Sequence, residues 1–210
     1  MKKTRWMVGA LLIAGMAQAE VVTLDESTPT KVANWIAREA GTVGTPTGVA
    51  TAGVGSNTGL DTVAAGIVTG AWGGLYRNGF DFDVSGQQTI TNAMLSVYLG
   101  WKVSPTVDLA VFAKTVGGTL NATSTKAIKA YNDSGYVDTG LRMVPGSAFG
   151  FHAFDVTSYV TNAVANGGTV SFRFQMLNDT SLPFGTDNRY ALRSFRTTSQ
   201  EPSLDLYIIP

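Results

Sequence analysis

The feature that most constrains this chain is a period-two alternation carried across a turn between Gly79 and Gly100, GFDFDVSGQQTITNAMLSVYLG. Phe80, Phe82 and Val84 fall on one face of an extended segment, and Asp81 and Asp83 on the other. After the polar turn Ser85-Gly86-Gln87-Gln88, residues Ala93, Leu95, Val97 and Leu99 again share a face. One apolar and one polar face is the pattern of an antiparallel sheet with one side in a core. The alternation returns at Val63, Ala65 and Ile67, at Val107, Leu109 and Val111, and at Leu204, Leu206 and Ile208. It is strongest where Val170, Phe172, Phe174 and Met176 oppose Ser171, Arg173 and Gln175.

Strands are also expected over Glu20–Leu24, Lys31–Ala37 and Ala191–Thr197, and over Phe149–Val156 with Phe149, Phe151 and Ala153 on one face. Gly41–Gly59 has no period and reads as a long surface loop with one ragged edge strand. Gly117–Gly146 reads as loop with short β pieces around Ala127–Tyr131 and Tyr136–Asp138. One helix is expected over Thr157–Ala165, started by Asp155 or Thr157 and stopped by Gly167-Gly168. The expected fold is all-β, a single antiparallel β-sandwich of jelly-roll type over residues 20–210 with one short helix.

The first residues read as an address. Lys2, Lys3 and Arg5 precede the apolar run Met7–Met16, and Ala17-Gln18-Ala19 is a small-x-small cleavage site. The run is shorter than the roughly 20 apolar residues a bilayer span needs. Residues 1–19 are therefore expected to be a signal peptide, with a secreted mature chain from Glu20, and no later stretch is expected to span a membrane. The chain holds 15 basic and 15 acidic residues, so losing those three bases leaves 12 against 15, a net of −3. That balance gives no broad attraction for nucleic acid. With no cysteine, thiolate nucleophiles and thiolate metal sites are excluded, and an exported form would depend on its core rather than on disulfides.

Catalytic material is sparse. The single histidine, His152, sits inside a strand pattern with no G-x-S-x-G elbow. Apart from Glu20, the glutamates beyond the signal are Glu26, Glu39 and Glu201, few for a paired-carboxylate hydrolase. No enzymatic activity is expected. Aromatic side chains near polar loops suit a carbohydrate platform, because a ring face stacks on the apolar face of a pyranose. Trp72, Tyr76, Trp101, Tyr131 and Tyr136 are the candidates, with Arg77, Arg189 and Arg193 as hydrogen-bonding partners. Arg196 extends the basic cluster, which would suit an acidic polysaccharide. Asp81 and Asp83, with Asp155, Asp179 or Asp187, are candidates for an oxygen-rich calcium site, calcium being the one cofactor the sequence suggests.

Three motifs, in order, carry a family resemblance. Phe82-Asp83-Val84-Ser85 followed by Thr89 to Tyr98 (TITNAMLSVY) resembles the FDLS…I-x-x-A-x-L-x-L-Y core of DNRLRE-domain proteins. Phe154 to Val160 (FDVTSYV) resembles their FDVTS-x-V segment. Phe195–Ser199 with Glu201-Pro202-Ser203-Leu204 resembles their closing strand. Asp81 stands where the family commonly has a base, and the N-terminal third matches poorly. The resemblance, over about Leu60–Pro210, implies a secreted, non-catalytic jelly-roll module similar to carbohydrate-binding modules, acting on extracellular or cell-surface polysaccharide. Such proteins often carry a PEP-CTERM sorting tail, which is expected to follow Pro210 in the natural precursor. The alternative expectation is a structural or adhesive surface protein that self-associates through sheet edges.

Overall fold

The computed structural model describes residues 20–39, 51–55, 61–69, 73–87, 89–183, 185–197 and 199–209. The expected signal peptide, most of the Gly41–Gly59 loop and Trp72 lie outside them. The strands are β1 (Glu20–Leu24), β2 (Val32–Glu39), β3 (Thr51–Val54), β4 (Thr62–Val68), β5 (Gly74–Asp83), β6 (Ile90–Val103), β7 (Leu109–Val116), β8 (Val137–Met143), β9 (Gly150–Asp155), β10 (Thr169–Met176), β11 (Asn188–Arg193) and β12 (Ser203–Ile208). Helices α1 (Ser124–Tyr131) and α2 (Thr157–Ala165) complete the order, with a 3-10 turn at Asp179–Ser181.

Every pairing is antiparallel. In the first layer the 14-residue β6 takes β9 along one edge. Its other edge takes β12, which carries β1, and then β11, which carries β4. The second layer runs β3-β2-β5-β10-β7-β8. A short β4–β5 pairing, Gly66–Val68 against Tyr76–Gly74, joins the two layers at one corner. The chain changes layer between most successive strands, the wrapped connectivity of a jelly-roll sandwich.

The alternating residues meet between the layers. Leu95, Val97 and Leu99 with Leu204, Leu206, Tyr190 and Leu192 face Phe80, Phe82, Val170, Phe172, Phe174 and Val111. Phe195, just beyond β11, packs edge-to-face on Phe80 at 5.8 Å and on Phe82 at 5.9 Å, and Phe80 meets Phe174 at 5.6 Å. Each buried Phe contributes roughly 1.5–3 kcal/mol by leaving water, and each such ring pair about 0.5–1.5 kcal/mol more. This ring cluster is the centre of the core.

The sandwich and the helix at Thr157–Ala165 match the sequence pattern. The Asp155 carboxylate accepts the Thr157 N–H at 3.0 Å, and Gly167, at φ +63°, closes the helix end by donating to the Val164 carbonyl. The structure differs at Ala127–Tyr131, where α1 replaces the expected β piece. Lys126, Ala127, Lys129 and Ala130 are good helix formers, and the Thr123 hydroxyl accepts the Lys126 N–H. Ala127, Ala130 and Tyr131, at i, i+3 and i+4, are the buried face. Strand β8 also runs longer than the three residues expected from Tyr136.

Candidate functional site

Among the described residues, the outer face of the first layer carries half-exposed and exposed side chains. Opposite its buried Leu95, Val97 and Leu99, β6 turns Tyr98 outward, and the cross-strand neighbour of Tyr98 is Phe151 on β9. Their rings meet edge-on with centres 5.0 Å apart. Phe151 is 57% exposed and Phe149 60%, values that leave both rings to solvent. Further along β6 the pairing with β11 slips by one residue at Gly100, so that Trp101 pairs with Ala191 while Leu99 still pairs with the buried Leu192. A bulge of this kind re-aims a side chain. Here it puts Trp101, 36% exposed, on the same face as Tyr98.

Two cations from β11 complete the row. The Arg189 guanidinium lies 4.6 Å from the centre of the Trp101 ring, and its Nη2 approaches Asp187 at 3.5 Å. Arg193 lies over Gly100, where a Cβ would come within 3.0 Å of its Nε, and donates from Nη1 to the Thr62 hydroxyl at 3.2 Å. At the end of β6, the Lys102 ammonium donates to the carbonyls of Pro145 and Ser147 and sits 5.7 Å from the Phe149 ring centre. Stacked and bonded in this way, the aromatic rings and guanidinium groups are held in place, an arrangement that would lower the entropy cost of binding a ligand.

The outer face of the second layer is closed. Helix α1 and the segments flanking it cover it, and the side chains beneath form a second, polar packing layer. Trp35 is fully buried there, its indole lying on Gly79 of the neighbouring strand. Asp81 is fully buried too, accepting from Ser171 Oγ at 2.5 Å, the Asn121 N–H at 2.5 Å and Trp35 Nε1 at 3.3 Å. The Tyr136 hydroxyl is 2.5 Å from the same Ser171 oxygen. No cation bonds to this carboxylate among the described residues. Burial pushes its pKa up to about 6, although the hydrogen bonds from Ser171, Asn121 and Trp35 pull the other way.

Two arginines fasten the C-terminal end of α1. Arg77 holds Asp179 through Nε at 2.7 Å and Nη2 at 2.8 Å, and donates from Nη1 to the Tyr131 carbonyl at 2.8 Å. Arg173 donates to the carbonyls of Ala130, Tyr131 and Asp133, with its guanidinium 4.4 Å from the Tyr136 ring centre and 5.3 Å from that of Phe112. Cations suit the negative end of a helix, and these two are its donors. Desolvation, and then the neighbouring Arg77 charge, lower the Arg173 pKa to about 10.

The carbohydrate candidates therefore divide by face. Trp101, Arg189 and Arg193 come together on the open face. Tyr131 and Tyr136 are buried under the covered face, where desolvation raises both phenol pKa values, and neither ring is open to a ligand. Arg77 is committed to Asp179, and Tyr76 points into the core between the layers. Trp72 lies outside the described residues. Sequence reasoning did not single out Tyr98 and Phe151, which the structure brings onto this face. The signal was present for Tyr98, since the alternation that buries Val97 and Leu99 must expose it.

The calcium candidates do not converge. Asp81 is enclosed by protein donors. Burial raises the Asp83 pKa, but Lys31 at 2.8 Å and the Ser85 donors outweigh it and leave it low. Asp155 caps α2. Among the described residues no three His, Cys, Asp or Glu side chains are grouped as a metal ion would require. The His152 Nε2 lies 2.8 Å from the Ala148 carbonyl oxygen, a bond that tethers the turn before β9. No helix among the described residues is long and apolar enough to cross a membrane.

No protein-family model matches this chain, and no curated protein matches it. The fold and the open face define it as an antiparallel β-sandwich with one aromatic, cation-flanked outer surface.

Proposed function

We propose that this is a secreted, non-catalytic module that binds extracellular or cell-surface polysaccharide on the open face of its first layer. The observation that carries this reading is the outward row Phe151, Tyr98 and Trp101, with Arg189 stacked on the Trp101 indole. Such rings accept the apolar faces of successive sugar units, and the Arg189 and Arg193 guanidinium groups supply hydrogen bonds to hydroxyls or carboxylates. The sequence resemblance to DNRLRE-domain proteins, with their likeness to carbohydrate-binding modules, agrees with this reading, as does the N-terminal signal pattern. A sorting tail after Pro210 would place the module at the cell surface.

The test is affinity electrophoresis and calorimetry against neutral and acidic polysaccharides, with and without calcium. Trp101→Ala and Tyr98→Ala should each weaken binding at least about tenfold, the loss of roughly 1.4 kcal/mol of contact. Each should shift the urea midpoint little. Absence of binding to every glycan, or binding indifferent to both substitutions, would overturn the proposal.

A further inference from the structure

Strand β9 runs along β6 in unbroken register, from Asp155 against Met94 to Gly150 against Leu99. Beyond its end the Val156 N–H donates to the Ala93 carbonyl at 2.9 Å. Residues that exchange bonds alternate along an antiparallel ladder. Hence Phe154 and His152 bond toward β6, while the N–H and C=O groups of Phe151 and Ala153 point to the opposite edge. Among the described residues no strand pairs with that edge. A row of unpaired backbone groups is a template for another strand.

Strand β8, one of the two edge strands of the second layer, is built against such pairing. The register of β8 on β7 slips between Ala110 and Phe112, and Gly140 stands at φ +78°. Asp138 is clasped by Arg142 at 2.8 and 2.6 Å across the irregularity. Bulges and edge charges blunt a template. Strand β9 has neither a bulge nor Lys nor Pro along its ladder; its outward side chains are Phe151, Ala153 and, at its C-terminal end, Asp155, and its positive-φ glycine, Gly150, stands at the opposite end.

We propose that β9 pairs antiparallel with β9 of a second copy of this chain, about a two-fold axis at His152, joining the first layers of the two copies into one sheet. A second copy fits because the strand is complementary to itself. The two-fold register sets Phe151 opposite Ala153 of the other copy, a large side chain beside a small one on the same face. Both are residues whose N–H and C=O point to the free edge, so each pair exchanges two bonds and the symmetry repeats them. Asp155, the strand's one carboxylate, then falls at opposite ends of the pair, whereas a parallel alignment would set two carboxylates side by side. The joined sheet carries both Tyr98–Phe151 pairs on one continuous surface. If the open face binds glycan, two sites on one particle also raise avidity, but the pairing itself does not depend on that reading.

The experiment is sedimentation equilibrium of the purified protein, without glycan, from about 1 µM to about 500 µM, a range that spans weak to moderate association. The expected result is a concentration-dependent doubling of mass. Ala153→Pro removes a free-edge N–H without touching the β6 ladder and should hold the protein monomeric, its far-UV spectrum unchanged. Phe151→Lys, at an exposed position, should weaken association at least tenfold. Val137→Lys on β8 should leave it unchanged. A monomer at every concentration, whether because β9 is covered by another segment of the chain or because it stays solvated, would overturn the proposal. So would a dimer indifferent to both β9 substitutions, or one broken by the β8 substitution.

Discussion

The two outer faces of the sandwich start from the same alternating strands and end in opposite environments. On the first layer Tyr98, Trp101, Arg189 and Arg193 meet solvent; on the second Trp35, Asp81, Arg77 and Arg173 are sealed beneath α1. Each face stacks an arginine on an aromatic ring, Arg189 on Trp101 at 4.6 Å and Arg77 on Tyr131 at 4.6 Å. In the open pair the guanidinium keeps contact with water. In the covered pair it is spent on Asp179 and a helix end. The same contact is thus left at the solvent on one side and built into the packing on the other, and burial decides which.

That contrast sets the size of the expected effects. Arg77→Ala leaves Asp179 buried without its partner and should cost about 3–5 kcal/mol in urea unfolding, whereas Arg189→Ala should cost about 0–1 kcal/mol. Equal losses would mean that the second face is not sealed as described.

The next effect is in pH. Asp81 has a folded pKa of about 6 against an ordinary 3.8, so the folded protein binds a proton more tightly than the unfolded chain. The sign follows: its contribution is complete below pH 3.8 and is lost as pH rises through 6, a swing on the order of 3 kcal/mol. Asp83, Asp133 and Asp138, all held low by their cationic partners, act oppositely in stronger acid. The difference between wild type and Asp81→Asn therefore isolates the Asp81 part. Between pH 7 and pH 4 the wild type should gain stability relative to that variant, as followed by urea midpoints. Parallel curves would show that the carboxylate is hydrated.

The smallest of these effects compares two glycines. A Cβ on Gly79 would lie 2.5 Å from the buried Trp35 indole, so Gly79→Ala should cost about 1–3 kcal/mol through overpacking. A Cβ on Gly100 meets only the Arg193 Nε at 3.0 Å on the open face, where the side chain can swing aside. Gly100→Ala should stay within about 0.5 kcal/mol. Thermal unfolding of the two variants side by side distinguishes a covered face from an open one.

Much of this architecture is legible in the sequence because a strand has only two faces. Phe80, Phe82 and Val84, or Val170, Phe172 and Phe174, can enter a core only as sets, so alternation alone assigns them. The short helix at Thr157–Ala165 is legible from its apolar pair and terminal glycines. Helix α1 was less so, its eight residues lying within a Gly-rich stretch that reads as loop, although STKAIKAY has helix formers and a capping threonine.

What the sequence by itself determines is which side chains share a face. Whether a polar face then meets water is decided only when distant segments pack. Asp81 and Asp83, two residues apart on one face, show the limit. Asp83 remains beside Lys31 near the surface, while Asp81 is enclosed by Asn121, Ser171 and Trp35, brought from 40, 90 and 46 residues away. Likewise Trp101 joins Tyr98 on the open face only because the ladder with β11 slips at Gly100. Local pattern follows from bonding within a strand. Burial of its polar side depends on which other element covers it, and that is a property of the assembled tertiary structure.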